Sequence, residues 1–202
     1  MRVGVLASGA GTNLQAILDH VHGREGVEVA AVGSDQADAP ALARAAAAGV
    51  PTAVFLLADY ADRDARDHAM AEFLSAHRVE LVVLAGYMAL LTPGFLASFP
   101  MRVVNVHPAL LPAFPGVRAI EQALEYGVKV FGVTVHFVDD GVDTGPVIAQ
   151  RAVELPDATA AEEVREALRP LEHELLCDAV RQIARGAVRV DPERPRRVTV
   201  GR

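Results

Sequence analysis

The sequence predicts an α/β fold: an open, mostly parallel twisted sheet with helices on both faces, followed by a C-terminal antiparallel hairpin and one long helix. Three observations carry that expectation. Short Val-rich runs alternate with longer Ala- and Leu-rich ones through roughly the first half of the chain, the rhythm of βαβ units. The run at 81–85 is almost wholly apolar, as a central strand covered on both faces requires. Beyond it, the turn-rich DDGVDTGP at 139–146 joins two strand-like runs with no helix between them.

In order, residues 2–7 form the first strand, 13–22 a helix, 27–33 the second strand, and 40–48 a helix stopped by Gly49 and then Pro51. A third strand follows at 52–56. Ala69, Phe73 and Ala76 recur at helical spacing and predict a helix over 62–76, ahead of the strand at 81–85. Thr92 before Pro93 makes a cap and first-turn pair for a short helix, and 102–106 is the next strand. Strands at 131–138 and 147–154 make the hairpin. A long helix over 159–185 carries Val164, Leu168, Leu171, Leu175 and Val180 as much of an apolar stripe, with Pro170 expected to kink or break it. Residues 191–202 hold two prolines and four arginines and read as a loosely held tail without a role. No repeat or linker divides the chain, so it reads as a single domain over 1–202.

Composition narrows the function classes. The chain has 202 residues, 51% hydrophobic and 22% charged, enough for a sizeable core and unlike a disordered or heptad-repeat chain. A formal charge of −7 argues against a general nucleic-acid binder, which concentrates Lys and Arg, and points to small-molecule partners. One cysteine, Cys177, cannot make an internal disulfide, and no CxxC pair or HExxH offers a metal cage, so no metal is expected. The opening residues do not form a signal peptide and no stretch is long enough to span a bilayer, which makes the cytoplasm the expected location.

Between the first strand and first helix lies Ser8-Gly9-Ala10-Gly11-Thr12-Asn13, where backbone N–H groups and the helix dipole favour an anion. Leu14 stands where a dinucleotide fingerprint has its third glycine, and GK[ST] is absent, so a single phosphate fits better than a pyrophosphate. Asp35, near the end of the second strand, keeps a dinucleotide reading open. A tight turn needing glycine for shape alone is the plain alternative. In VVNVHP, the period of a strand puts Asn105 and His107 on one face at its C-terminal end, where open α/β sheets bind ligands. An amide that can donate to a developing oxyanion, beside an imidazole that can carry a proton, suits acyl transfer to an amine. Asp143 in the glycine- and carboxylate-rich loop would favour imidazolium if it lay near His107. Against these stand a turn-closing Asn105, a satisfied His107 and a solvated Asp143.

The motifs SGAGTNLQAI, VLAGYMALL, NVHPALLPAFPG, GVTVHFVDDGVDTGPVI and LEHELL, in that order, make the sequence resemble the glycinamide ribonucleotide formyltransferases over nearly its whole length. The resemblance implies transfer of a formyl group from 10-formyltetrahydrofolate to the amine of glycinamide ribonucleotide in purine synthesis, with Asn105, His107 and Asp143 catalytic. It implies that Gly11, Thr12 and Asn13 hold the substrate phosphate, that Glu172 accepts the ribose hydroxyls, and that Arg169 adds a second phosphate contact. Arg63 would meet the glutamate carboxylates of the folate. Met88, Ala89, Leu90 and Leu91 would line one edge of the pterin, Val138, Asp139, Asp140 and Gly141 the other, and Asn105 would also contact the folate. Thr134 and His136 would stand behind the catalytic groups. On this reading a Rossmann-like phosphate-binding half spans about 1–100 and a catalytic, folate-binding half about 101–190. Ala109 and Ala113 depart from the serine and the basic residue frequent at those positions, and neither change removes a catalytic group.

Two other readings stay open at this point. Formyltetrahydrofolate deformylases share the triad and would use water in place of the amine, although they usually carry an extra N-terminal domain. A non-catalytic nucleotide-binding module would use Gly9 to Asn13 and Asp35. A monomer and a homodimer fit the sequence equally.

Overall fold

In the computed structural model, which describes residues 1–201, the chain opens on β1 (Arg2–Leu6), in which Val3, Val5 and Leu6 are fully buried. Two units are delimited, Met1–Asn105 and Val106–Arg202. In the first, α1 (Thr12–His20) leads to β2 (Glu28–Ser34), α2 (Pro40–Ala47), β3 (Thr52–Val54) and α3 (Arg63–Ala76). Then come β4 (Leu81–Leu84), α4 (Pro93–Ser98) and β5 (Val103–His107), the last crossing the boundary between the units. The strands stand in the order β3-β2-β1-β4-β5 and every neighbouring pair is parallel. The chain therefore winds outward from β1 and returns to start again at β4. Such a reversal parts the loops that follow the two strands and opens a crevice at their C-terminal ends.

Local chemistry explains the helix starts. Asp62 Oδ1 accepts from the Ala65 N–H at 2.8 Å and caps α3, and Thr92 Oγ1 accepts from the Phe95 N–H at 3.5 Å ahead of Pro93. The spacing of Ala69, Phe73 and Ala76 marks a helix but not its buried side. Ala69 and Phe73 are half-buried and Ala76 is exposed, whereas Arg66, Asp67, Met70, Ala71 and Leu74 face inward. Apolar periodicity missed this face because two of its five members are charged.

The second unit holds α5 (Ala119–Tyr126), which the sequence reading lacked, an antiparallel pair β6 (Val130–Phe137) and β7 (Val147–Glu154), and α6 (Ala161–Ala184). The β6–β7 register shifts between Val135 and His136, a bulge directly before the buried histidine. Pro170 does not break α6. Its ring costs the Glu166 carbonyl a partner, but both residues are exposed, so solvent can satisfy that oxygen.

The expected loose tail is also corrected. Val188–Val190 and Val198–Val200 pair antiparallel as β8 and β9. Each is three residues long and separated by an Arg- and Pro-rich turn, too short for alternation to register. Among the described residues no helix is long and apolar enough to cross a membrane.

Candidate active site

The crevice expected beyond β1 and β4 is occupied by two loops that touch. The Ser8 N–H donates to the Gly86 carbonyl at 3.1 Å, and Ser8 Oγ accepts from the Met88 N–H at 2.9 Å. Gly11 caps α1 in the left-handed region at φ 71. A Cβ there would stand 2.7 Å from the Ala41 Cβ and 2.8 Å from its Cα, so glycine is also what lets α2 approach the loop. Shape and anion binding are thus compatible demands on one residue. Thr12 is half-buried and Asn13 is buried at the start of α1. Leu14 is fully buried and belongs to the core.

Met88, Ala89, Leu90 and Leu91 follow β4 without regular secondary structure, and they are not core: Met88 is 67% and Leu90 56% exposed. Two large apolar side chains presented side by side at a sheet's ligand-binding edge are what an apolar ligand needs. Arg63, at the first turn of α3, donates through Nη2 to the Leu90 carbonyl at 3.0 Å. A cleft of about 640 Å³ opens beside it, lined by Leu57, Tyr60, Arg63, Thr92 and Pro93 together with Asp62 and Asp64.

In the second unit, Asp143 is the centre of a tight cluster. Its Oδ2 lies 3.2 Å from His107 Nδ1 and accepts from the Gly116 N–H at 2.7 Å, while Oδ1 lies 3.4 Å from His136 Nε2. His107 and His136 are buried. The other nitrogen of each ring meets a carbonyl: His107 Nε2 at 2.8 Å from Phe114 O, and His136 Nδ1 at 2.8 Å from Phe137 O. Burial alone would push the Asp143 carboxyl up. The His136 bond, the Gly116 amide and the charges of His107 and His136 outweigh it and hold the group below its ordinary value. Asp143 adopts φ 52, an uncommon conformation for a residue with a side chain, though more accessible to Asp than to most.

The loop that carries Asp143 is knotted by its own polar groups. Asp139 Oδ1 accepts from the Gly141 N–H at 3.1 Å and from Thr144 Oγ1 at 2.6 Å, and Gly145 passes so close to Phe137 that a Cβ would fall 1.8 Å from its carbonyl oxygen. Val138 and Asp139 are half-buried, and Asp140 and Gly141 exposed. Thr134 acts through the turn after His107. Its Oγ1 donates to the Ala109 carbonyl at 2.7 Å and accepts from the Leu111 N–H at 3.1 Å. Because the Ala109 contribution is its carbonyl, the alanine there leaves this bond intact.

Asn105 is half-buried on β5 two residues before His107, hence on the same face of the strand. On α6, Glu172 is half-buried and Arg169 Nη2 lies 3.7 Å from Glu162 Oε1. Asp35, the residue of the dinucleotide reading, is half-buried after β2, with Oδ1 buried and unbonded. Sequence reasoning missed the backbone partners Phe114 and Gly116, which no side-chain motif could announce. It also missed Gln150, which sits directly across from Thr134 in the hairpin and donates to its Oγ1 and to the Leu111 carbonyl, both at 2.9 Å. Strand limits of 131–138 and 147–154 would set Thr134 against Arg151, whereas the observed register, with its shift after Val135, sets it against Gln150.

The family model described as formyl transferase matches residues 1–180. The phosphoribosylglycinamide formyltransferase of Mycobacterium tuberculosis is 45% identical over 203 residues, covering 99% of this chain and 94% of that protein. The protein of the same name from Bacillus subtilis is 39% identical, covering 89% and 92%. Among solved structures, glycinamide ribonucleotide transformylase 1 from Symbiobacterium toebii superposes with a TM-score of 0.95 at 49% identity, covering 100% of this chain and 94% of that one.

Proposed function

We propose, from the premise that this chain belongs to the formyl transferase family, that it transfers a formyl group to the primary amine of 5'-phosphoribosylglycinamide, with 10-formyltetrahydrofolate as the donor, in purine synthesis. The observation that carries the reading is the Asp143 carboxylate, held ionised against His107 in a cluster that also includes His136, with Asn105 two residues before His107 on β5. In the reaction the amine forms a bond to the formyl carbon, the bond from that carbon to the folate nitrogen breaks, and a proton passes from the amine to the departing nitrogen.

The Asn105 amide and the His107 imidazole donate to the formyl oxygen as it gains charge. For His107 Nε2 this exchanges one carbonyl acceptor, that of Phe114, for another. Asp143 stabilises positive charge on the ring and organises the water that relays the proton. His136 fixes the carboxylate from its other oxygen, and Thr134 holds the turn that follows His107. Gly11, Thr12 and Asn13 take the phosphate at the α1 N-terminus, where backbone dipoles favour an anion. Glu172 accepts the ribose hydroxyls and Arg169 adds a phosphate contact. Arg63 meets the folate glutamate carboxylates. Met88, Ala89, Leu90 and Leu91 take one edge of the pterin, and Val138, Asp139, Asp140 and Gly141 the other, next to Asn105. Much of the rate enhancement comes from alignment of the two substrates.

One assay separates transfer from hydrolysis. The chain is mixed with 10-formyltetrahydrofolate with and without glycinamide ribonucleotide, and tetrahydrofolate and formylglycinamide ribonucleotide are measured. Folate deformylation that depends on the amine is the expected result. Release of formate at the same rate without it would make the chain a deformylase.

A further inference from the structure

Helix α3 buries two charged side chains that the reaction as described leaves idle. Arg66 is 3% and Asp67 0% exposed, and Arg66 donates to Asp67 Oδ1 through Nε at 2.9 Å and Nη2 at 2.7 Å. Well-packed apolar residues often serve stability as well as a buried ion pair does, so stability alone is a weak reason for one. The second carboxylate oxygen shows another use. Asp67 Oδ2 accepts from the backbone N–H of Thr92 at 2.7 Å, and Thr92 both ends the 88–91 segment and caps α4.

Two more contacts come from the same side of α3. One turn before Asp67, Arg63 donates to the Leu90 carbonyl, and three residues after it, Met70 Sδ accepts from the Tyr87 hydroxyl at 3.9 Å. Positions 63, 67 and 70 follow the spacing of a single helix face. That face therefore grips the 87–92 segment at three places: the Tyr87 side chain, the Leu90 carbonyl and the Thr92 amide. The glycine loop adds a fourth through Ser8 and the Met88 amide. With its backbone held in this way, the segment turns the Met88 and Leu90 side chains outward.

We propose that Asp67, oriented and charge-balanced by Arg66, is a positioning residue for folate recognition: it fixes the backbone of 88–92 so that one preformed surface meets the pterin. This rests on the assignment of 88–91 to the folate. A bond from an amide to an ionised carboxylate holds its geometry more firmly than a neutral one, which explains a charged pair where a neutral acceptor would fit. A preformed surface spares the ligand the cost of ordering the segment on binding.

The test is steady-state formyl transfer by the full chain. Asp67→Ala is expected to raise the KM for 10-formyltetrahydrofolate by about tenfold or more, with the KM for glycinamide ribonucleotide and kcat within about threefold of the parent. Asp67→Asn keeps one acceptor oxygen for the Thr92 amide but turns a donor toward Arg66 and loses the balancing charge, so its folate KM is expected to fall between those of Asp67→Ala and the parent. Should Asp67→Ala fail to fold, Arg66→Met, which leaves the carboxylate without its orienting partner, is read for the same selective rise. A folded variant in which both KM values rise together, or neither does, overturns the proposal. Leu90→Asp distinguishes the two layers. If it leaves the folate KM unchanged, the folate assignment of the segment is wrong. If it raises that KM while Asp67→Ala does not, the assignment stands and the positioning role falls.

Discussion

Asp143 sits against one amide and two imidazoles, and each half of that arrangement bears on a different measurement. Asp143→Asn retains an oxygen for the Gly116 amide and tolerates φ 52 as the aspartate does, so the charge is the main thing removed. Formyl transfer is expected to fall in kcat by about 10²- to 10⁴-fold, the usual range for losing a positioned acid–base group, and His107→Ala to fall comparably. Parent-like turnover in either variant would break the assignment of roles. The acid limb of stability checks the same carboxylate without substrate. Burial raises its pKa, but the His136 bond, the Gly116 amide and the His107 charge leave it depressed in the folded chain. A depressed carboxylate contributes stability that is complete above the unfolded value of about 3.9 and is lost as the pH falls through the lower folded value. The gap in denaturation midpoint between the parent and Asp143→Asn should therefore be constant from pH 7 to about 5 and close below about pH 4. A gap that stays open at pH 2 would mean the carboxylate is not held in this way. His107, Asn105 and Asp143 could be singled out from the sequence because an imidazole, an amide and a carboxylate announce their chemistry by residue type. Phe114 and Gly116 contribute a carbonyl and an N–H, which every residue has, and nothing in the sequence sets them apart.

At the scale of elements, the 139–145 loop owes its shape to close backbone approach. A Cβ on Gly145 would meet the Phe137 carbonyl oxygen at 1.8 Å and its carbon at 2.8 Å, and backbone at a strand end cannot step aside as a flexible side chain can. Gly145→Ala should cost about 1–3 kcal/mol in a denaturant titration, as overpacking does, and should lower kcat because the displaced loop carries Asp143. A variant with parent stability would show that the loop has room the structure denies it. The C-terminal hairpin reaches the same loop, since Arg196 Nη1 donates to the Thr144 carbonyl at 2.8 Å, next to the strained Asp143. Removing residues 188–202 should lower kcat several-fold, and Arg196→Ala should reproduce about half of that loss or more if the contact is what matters. Truncation without effect on turnover would return the hairpin to a purely structural part. The strands of the first unit were legible as short, nearly continuous apolar runs, and its helices as longer Ala- and Leu-rich stretches bounded by caps, glycines and prolines. The inward face of α3 was not, because Arg66 and Asp67 sit where a periodicity argument looks for apolar residues. Which face of α3 turns inward is decided by packing against the rest of the unit, and the order of residues along the helix does not reveal it.

For the molecule as a whole, Cys177 is a built-in reporter of opening. It is the only cysteine in the chain, is 3% exposed on α6, and burial pushes its thiol up to about 11 against the pull of Arg181. At pH 8 the folded chain thus offers a covered, neutral thiol, and a thiol reagent labels only molecules in which α6 has come loose. Under conditions where closing outpaces labelling, the rate measures the population of open forms. A ligand that binds only the closed form reduces that population by the factor 1 + [L]/Kd, so ribonucleotide at 100 times its Kd should slow labelling about 100-fold. The same helix carries Arg169 and Glu172, the residues proposed to hold the phosphate and ribose, so protection is expected whether α6 opens alone or with everything else. Labelling that ignores the ribonucleotide while the enzyme still turns over would show that α6 opens independently of a bound substrate. In that event Arg169 and Glu172 are not its ligands, and the phosphate must be held by the glycine loop without them.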